Sequence, residues 1–385
     1  MRIVCTHNTV RSVYADLVNR LAKLLRKWPF VLIVIACAPA FAREFVHPGM
    51  LHNKDDLAFI KAKVAGGEEP WKAAWLQMLA DKSASLKYTA RPVADVVRGP
   101  YNNPDIGSTA LSRDSGAAYA HALEWAITGE KAHALKAIEI LNAWSGTLKS
   151  IQGSDQQLLA GITAYRFCNA AEILRYSQAD WDPKEIEQFK AMLLNVFYPL
   201  IKNFKPKANG NWDAAMILSM LCIGIFCDDA EKFDRATEYF LHGEGNGAIA
   251  HYVYSTGQCQ ESTRDQAHTQ LGLGMLAAAC EVASKQGVDL YGAENNRLAL
   301  GFEYTAKYNL GEEVLCKGTI SEKMRGEFRP IYEKVYQHYV YDLGEKALEM
   351  PYTRRAIEKT RPEGSSLDHE GWGTLTSFKG PRVKP

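Results

Sequence analysis

The chain of 385 residues has little net charge: 45 basic side chains against 44 acidic ones give +1. That balance argues against nucleic acid as a partner, because phosphate backbones are bound by clustered positive charge. Cysteine is sparse and scattered. Cys168, Cys222, Cys227, Cys259, Cys280 and Cys316 form no CxxC pair and no zinc-ligand spacing, which fits buried free thiols. No H-x-x-H or H-E-x-x-H stands anywhere, so no metal is expected, and no cofactor either. P-loop, GxSxG and dinucleotide fingerprints are missing from any strand–turn–helix context, which sets aside nucleotide and serine-hydrolase chemistry. No apolar run is long enough to span a bilayer. Alternating β-type runs are scarce; Ala248–Tyr254 is the best candidate strand.

What is present begins with an export pattern. Arg26-Lys27 precedes a short apolar run from Trp28 to Ala36, and Ala40-Phe41-Ala42 forms an A-x-A cleavage site. Val34-Ile35-Ala36-Cys37 offers an alternative end as a lipobox with Cys37 lipidated. Residues 1–42 are therefore expected to be an N-terminal extension and signal peptide, and the protein to be periplasmic or secreted, or anchored through Cys37. They carry six basic groups and one acid; the remainder has 39 basic and 43 acidic groups, a net of −4. An anionic partner must then be met by positive charge collected locally.

Helical spacing dominates the rest. Gly116–Thr128, Lys131–Trp144, Gln156–Tyr176, Pro183–Phe204, Ala214–Cys227, Ala230–Leu241, Gln266–Ser284 and Asn295–Tyr308 all place apolar residues on one face. Asp182, Pro183 and Glu185 form a helix-start signal of the capping-box kind. Paired helices on short turns, with no fixed repeat and no linker, predict an all-α barrel (an α/α toroid, incomplete or full). One domain is expected over residues 43–378, with 379–385 a loose tail; nothing calls for more than a monomer.

The densest polar string is Gln260-Glu261-Ser262-Thr263-Arg264-Asp265-Gln266-Ala267-His268. Arg264 and His268 are four apart and would share one helix face, with Glu261 three before the arginine. Arginine, amide and imidazole suit a sugar carboxylate: the arginine clamps it, Gln266 hydrogen-bonds it, and His268 moves a proton. A surface ion-pair network is the alternative. Tyr304 and Tyr308, also four apart, offer a phenol as acid, or as base if neighbouring cations lower its pKa; otherwise they pack. Asn211 is either a helix N-cap or a hydrogen-bonding group for an acidic sugar, with Trp212 as a stacking platform. Tyr252, His338 with its aromatic neighbours Tyr332, Tyr336 and Tyr339, and Glu363 in Arg361-Pro362-Glu363-Gly364 are further candidates for lining a sugar cleft, as is Asp368-His369. Each could equally be structural.

Together these segments resemble the alginate lyase superfamily of α/α toroids, and within it polysaccharide lyase family 38, whose members act on alginate or glucuronan. The resemblance covers roughly residues 45–375. It rests most on Thr256-Gly257-Gln258 running into Gln260–His268. Gly287-Val288-Asp289-Leu290-Tyr291, Glu303-Tyr304 with Lys307-Tyr308-Asn309, and Arg361-Pro362-Glu363-Gly364 support it. It implies catalysis by an asparagine, a histidine, an arginine and a tyrosine, here Asn211, His268, Arg264 and Tyr304. Trp212 stands where several related families carry a histidine, so the base must come from His268 or a tyrosine. The implied reaction is β-elimination on a 1,4-linked polyuronate: the C5 carboxylate is neutralised, the C5 proton removed, and O4 protonated as it leaves. Two other readings stay open, a uronide-acting glycoside hydrolase on an α/α barrel and a non-catalytic glycan-binding lipoprotein. The first lacks an obvious carboxylate pair.

Overall fold

Helix boundaries follow the apolar spacing where local caps are clear and depart from it where capping comes from distant residues. A computed structural model describes residues 43–381. The expected leader, with Cys5 and Cys37, lies outside them. The first helices are α1 (Lys54–Ala65) and α2 (Trp71–Ala80). A small sheet follows, in which β1 (Asp95–Arg98) pairs antiparallel with β2 (Asp105–Ile106) and parallel with β3 (Ser150–Gln152). The main helices are α3 (Ser108–Thr128), α4 (Lys131–Thr147), α5 (Gln156–Arg175), α6 (Pro183–Met192), α7 (Gly210–Phe226), α8 (Ala230–His242), α9 (Gln266–Lys285) and α10 (Ala293–Asn309); α11 (Pro351–Thr360) comes later.

α3, α5, α7 and α9 form an inner layer. Gly161 lies against Ala215, the Tyr165 N–H donates to Ser219, and the Asn169 amide meets the Cys222 thiol. That advancing register makes α5 and α7 parallel. Both are buried almost all round, α7 chiefly through apolar side chains and α5 with Arg166, Asn169 and Glu172 among its buried groups. α4, α6, α8 and α10 lie outside. The Trp144 indole of α4 donates to Asp114 of α3, the Tyr239 hydroxyl of α8 to Asp213 of α7, and the Asn309 amide of α10 to Gln266 of α9. Each of these three pairs is an antiparallel hairpin. The architecture is the expected α/α toroid. Its C-terminal strap crosses the inner layer: the Arg166 guanidinium donates to the Ser366 carbonyl, and His369 fits against Gly274, where a Cβ would sit 2.4 Å from the ring. Among the described residues no helix is long and apolar enough to cross a membrane, and the six described cysteines are free.

Four expectations change. α3 starts at Ser108, because the Asp105 carboxylate accepts the Ser108 and Thr109 N–H groups and so caps a polar first turn. Pro183–Phe204 is not one α-helix: Pro199 lacks an N–H, and a widened π turn over Leu193–Phe197 absorbs it. Asp182 still caps α6, through the Lys184 N–H. Ala248–Tyr254 is no strand: Ile249–Tyr252 make a helical turn, and only Val253 bridges, to Cys259. The tail is tied further than expected. Phe378 stacks on Trp71, and the Lys379 N–H and the Gly380 carbonyl both bond the Gln337 amide.

Candidate active site

The first turn of α7 is capped by the segment that leads into α9, some fifty residues away in sequence. Its N-cap residue Asn209 makes no side-chain bond. Instead the Gly210 N–H donates to Gln260 Oε1 (2.9 Å) and the Asn211 N–H to Glu261 Oε1 (3.1 Å). Asn211 is thus inside the helix and is not its N-cap, as one reading of the sequence had it. Its side chain is 0% exposed, yet neither amide atom has a hydrogen-bond partner. A buried amide is costly unless a polar group fills its valences, so this amide calls for a partner from outside the chain, whether water or ligand.

Glu261 joins that amide to Arg264. Its other oxygen takes the Arg264 guanidinium at 3.2 Å. Burial pushes the Glu261 carboxyl up to about 7, against the opposing pull of the Asn211 N–H and Arg264. Arg264 itself remains 32% exposed and so faces solvent as well as its partner. It does not share a helix with His268. It ends a 3-10 turn over Gln260–Thr263, and Asp265, fully extended at φ −172°, separates it from α9. Four-residue spacing brings the two side chains into one neighbourhood through a helix start rather than along a helix face.

Asp265 has two tasks. Its carboxylate accepts the His268 N–H at 2.8 Å, capping α9, and holds His268 Nδ1 at 2.7 Å. Burial would raise the Asp265 pKa, but the two His268 bonds and the charge opposite outweigh it and hold the acid ionised. An ionised partner on Nδ1 assigns the proton there and leaves the Nε2 lone pair for chemistry. The His268 side chain is 27% exposed. Trp212, next to Asn211 and half-buried, has the Lys205 ammonium 4.8 Å above its ring.

A cavity of about 970 Å³ opens beside the start of α3. Lys87, Tyr88 and Arg91 come from the segment before β1, Arg113 from α3, and Leu367 and Trp372 from the strap. α5 and α7 run parallel, Gly116 of α3 faces Arg166 of α5, and α7 and α9 begin side by side at Asn211 and Glu261. Cavity and polar cluster each lie beside the start of an inner helix, and none of the cluster's side chains lines the cavity.

A family model described as alginate lyase matches residues 60–315. The chain belongs to the alginate lyase family. An alginate lyase from Bacteroides ovatus superposes with a TM-score of 0.64 at 14% identity, covering 87% of this chain and 100% of that one. Alginate lyase A1-III from Sphingomonas species A1 gives 0.61 at 14% identity, covering 84% and 95%. A variant of A1-III complexed with a tetrasaccharide gives 0.62 at 15%, covering 85% and 95%. No curated protein sequence matches the chain significantly.

Set in the family's fold, several residues singled out in the sequence take other tasks. The Tyr304 hydroxyl donates to the Leu315 carbonyl at 2.9 Å, and burial, with Cys316 and Cys259 nearby, pushes its pKa up to about 12. Its neighbours raise that pKa and none is a cation, and its hydroxyl is engaged by the loop carbonyl. Tyr308 is buried under the guanidinium of Arg325, 4.1 Å from its ring, and packs. Tyr252 is buried; its hydroxyl is spent on the Thr269 carbonyl and its ring fills the gap at Gly210 and Gly272, so it packs. The buried Gln266 amide is spent on the Ser321 carbonyl and Asn309, pinning the 311–330 loop. Glu363, buried, accepts the Tyr332 and Glu333 N–H groups and is scaffold. His338 stacks on Tyr291 at 3.8 Å and lines a second cavity with Glu281 and Lys285. Those residues end α9, about 25 Å along the helix from His268 at 1.5 Å per residue. Conversely, Lys87, Arg91 and Arg113 were missed. Lys87 and Arg91 lie in one segment and Arg113 on α3, and only their shared cavity brings the two together. A cluster of His121, Glu124 and His133 lies apart, between α3 and α4.

Proposed function

We propose that this protein is an exported polysaccharide lyase, similar to polysaccharide lyase family 38, that cleaves a 1,4-linked polyuronate by β-elimination. The observation that carries the reading is the buried, unpartnered Asn211 amide beside Arg264 and the Asp265–His268 pair. Each task of the reaction then has a group. Arg264 and the Asn211 amide neutralise the C5 carboxylate, which lowers the barrier to losing the C5 proton and holds the enolate-like charge. Glu261 aims the arginine. His268, oriented by Asp265, takes the C5 proton through Nε2 and returns it to O4 as the glycosidic bond breaks, leaving a 4,5-unsaturated sugar. One imidazole serving both atoms suits syn elimination. Mannuronate and glucuronate need syn geometry, guluronate anti, so the preferred polymer is polymannuronate or glucuronan.

The test is incubation with polymannuronate, glucuronan and polyguluronate while following the ultraviolet absorbance of the unsaturated product. Growth on the first or second, weaker on the third, is expected. New reducing ends without absorbance would mean hydrolysis instead, and binding without either would mean a glycan-binding protein.

A further inference from the structure

The hairpin between α3 and α4 carries a symmetrical pattern: His121-x2-Glu124 before the turn and Glu130-x2-His133 after it. Gly129, with φ at 75°, reverses the chain, so the two halves face each other. His121, Glu124 and His133 are all buried, and one ligand atom from each lies within 4.8 Å of the others. His133 Nε2 is 3.0 Å from Glu124 Oε2 and 3.8 Å from Glu130 Oε2. On the other side of the ring, His133 Nδ1 is 2.9 Å from His121 Nδ1. Glu124 Oε1 and His121 Nε2 are buried without a partner.

We propose that this hairpin holds a divalent transition-metal ion of the zinc class through His133 Nε2 and the carboxylates of Glu124 and Glu130, with His121 accepting the His133 Nδ1–H and fixing the ring. Zinc bonds of roughly 2.0–2.2 Å space tetrahedral ligand atoms about 3.3 Å apart. The two distances from His133 Nε2, 3.0 Å to Glu124 and 3.8 Å to Glu130, straddle that spacing, and the exposed Glu130 side chain is free to swing in to complete the set. An imidazole with two carboxylates suits zinc better than calcium or magnesium, which take oxygen sets. Two carboxylates neutralise a dication, which makes the complex tolerable in a buried place. An imidazole whose second nitrogen is held by a neighbour is the usual orienting arrangement around a bound metal. Neutral imidazoles are the ligating form. A hydrogen-bonded relay from His121 through His133 to Glu124 would explain the same contacts. It would leave Glu124 Oε1 unsatisfied and give the facing Glu130 no part. The ion would clamp the α3–α4 hairpin away from the Asn211 cluster, so its role is structural.

The experiment uses the full folded protein, stripped with chelator, equilibrated with Zn²⁺ or Co²⁺ and desalted. One equivalent of zinc per chain is expected by elemental analysis, with visible absorption for the cobalt form. H133Q and E124Q should lose the ion with unchanged circular dichroism. E130Q alters an exposed side chain and carries the test even where the buried variants fail to fold; it should weaken affinity by about tenfold or more. Folded wild type that retains no ion leaves only the relay, and equal retention by E130Q and wild type places the ion elsewhere; either result overturns the proposal.

Discussion

Two regions of this molecule are built from the same parts and behave in opposite ways. Around Glu333, a buried carboxylate takes both Arg361 nitrogens at 2.7 Å and the Thr374 hydroxyl at 2.7 Å, while Glu363 beside it accepts two backbone N–H groups. Around Glu261, a buried carboxylate takes one backbone N–H and one arginine, and the amide next to it has no partner. Both regions were dense polar strings in the sequence, Gln260–His268 and Arg361–Gly364. What separates scaffold from site is the number of valences left open, not the kind of residue.

The largest effect expected from this contrast is on turnover. His268→Ala should lower the kcat of the folded protein by about 10²–10⁴. A loss confined to KM would make His268 a binding group and break the assignment. Asn211→Ala should cost about 10²–10³ in kcat, the scale of one removed oxyanion donor. Because the amide has no partner to lose, stability should hold or rise; a melting curve that drops would place Asn211 among the scaffold groups. Arg361→Ala should do the reverse, costing about 3–5 kcal/mol by stranding Glu333 while the folded fraction keeps its specific activity. Denaturant unfolding beside kinetics on the folded protein reads both.

A finer test concerns pH. The Glu261 carboxyl is raised to about 7 in the folded chain by burial, above its ordinary value of 4.5. Folding therefore favours the protonated acid. That advantage is complete below about 4.3, the ordinary glutamate range, and is lost as pH rises through 7. Wild type should lose stability relative to Glu261→Gln over that window, by roughly 3 kcal/mol at the upper end. Parallel pH–stability curves would mean that Glu261 stays ionised in both states. Smallest of all, Tyr304→Phe removes one bond to a loop carbonyl and should cost less than about 1 kcal/mol in kcat/KM. Complete inactivation would return Tyr304 to the reaction.

The sequence made the helices readable where spacing and caps are local. Lys131–Thr147, Gln156–Arg175, Ala230–His242 and Gln266–Lys285 end within three residues of their expected limits. The start of α7 was hidden because Gln260 and Glu261, some fifty residues away, cap it. Arg264, Glu261 and His268 were legible as a string, since their grouping is local. Asn211 was visible as a candidate, but its decisive property, burial without a partner, exists only after the barrel closes. The environment of Tyr304 was equally invisible: its spacing from Tyr308 says nothing of the loop carbonyl or the thiols that surround it.

The capping of α7 by Gln260 and Glu261 also sets the timing of function. The side chains that complete the first turn of one helix belong to the segment that starts another, so neither half of the site exists until the two have docked. A chain halted with α9 unplaced has no aimed arginine and no seated Asn211 amide. Activity thus appears in the same step as tertiary closure, and a partly folded molecule is chemically silent toward polyuronate around it.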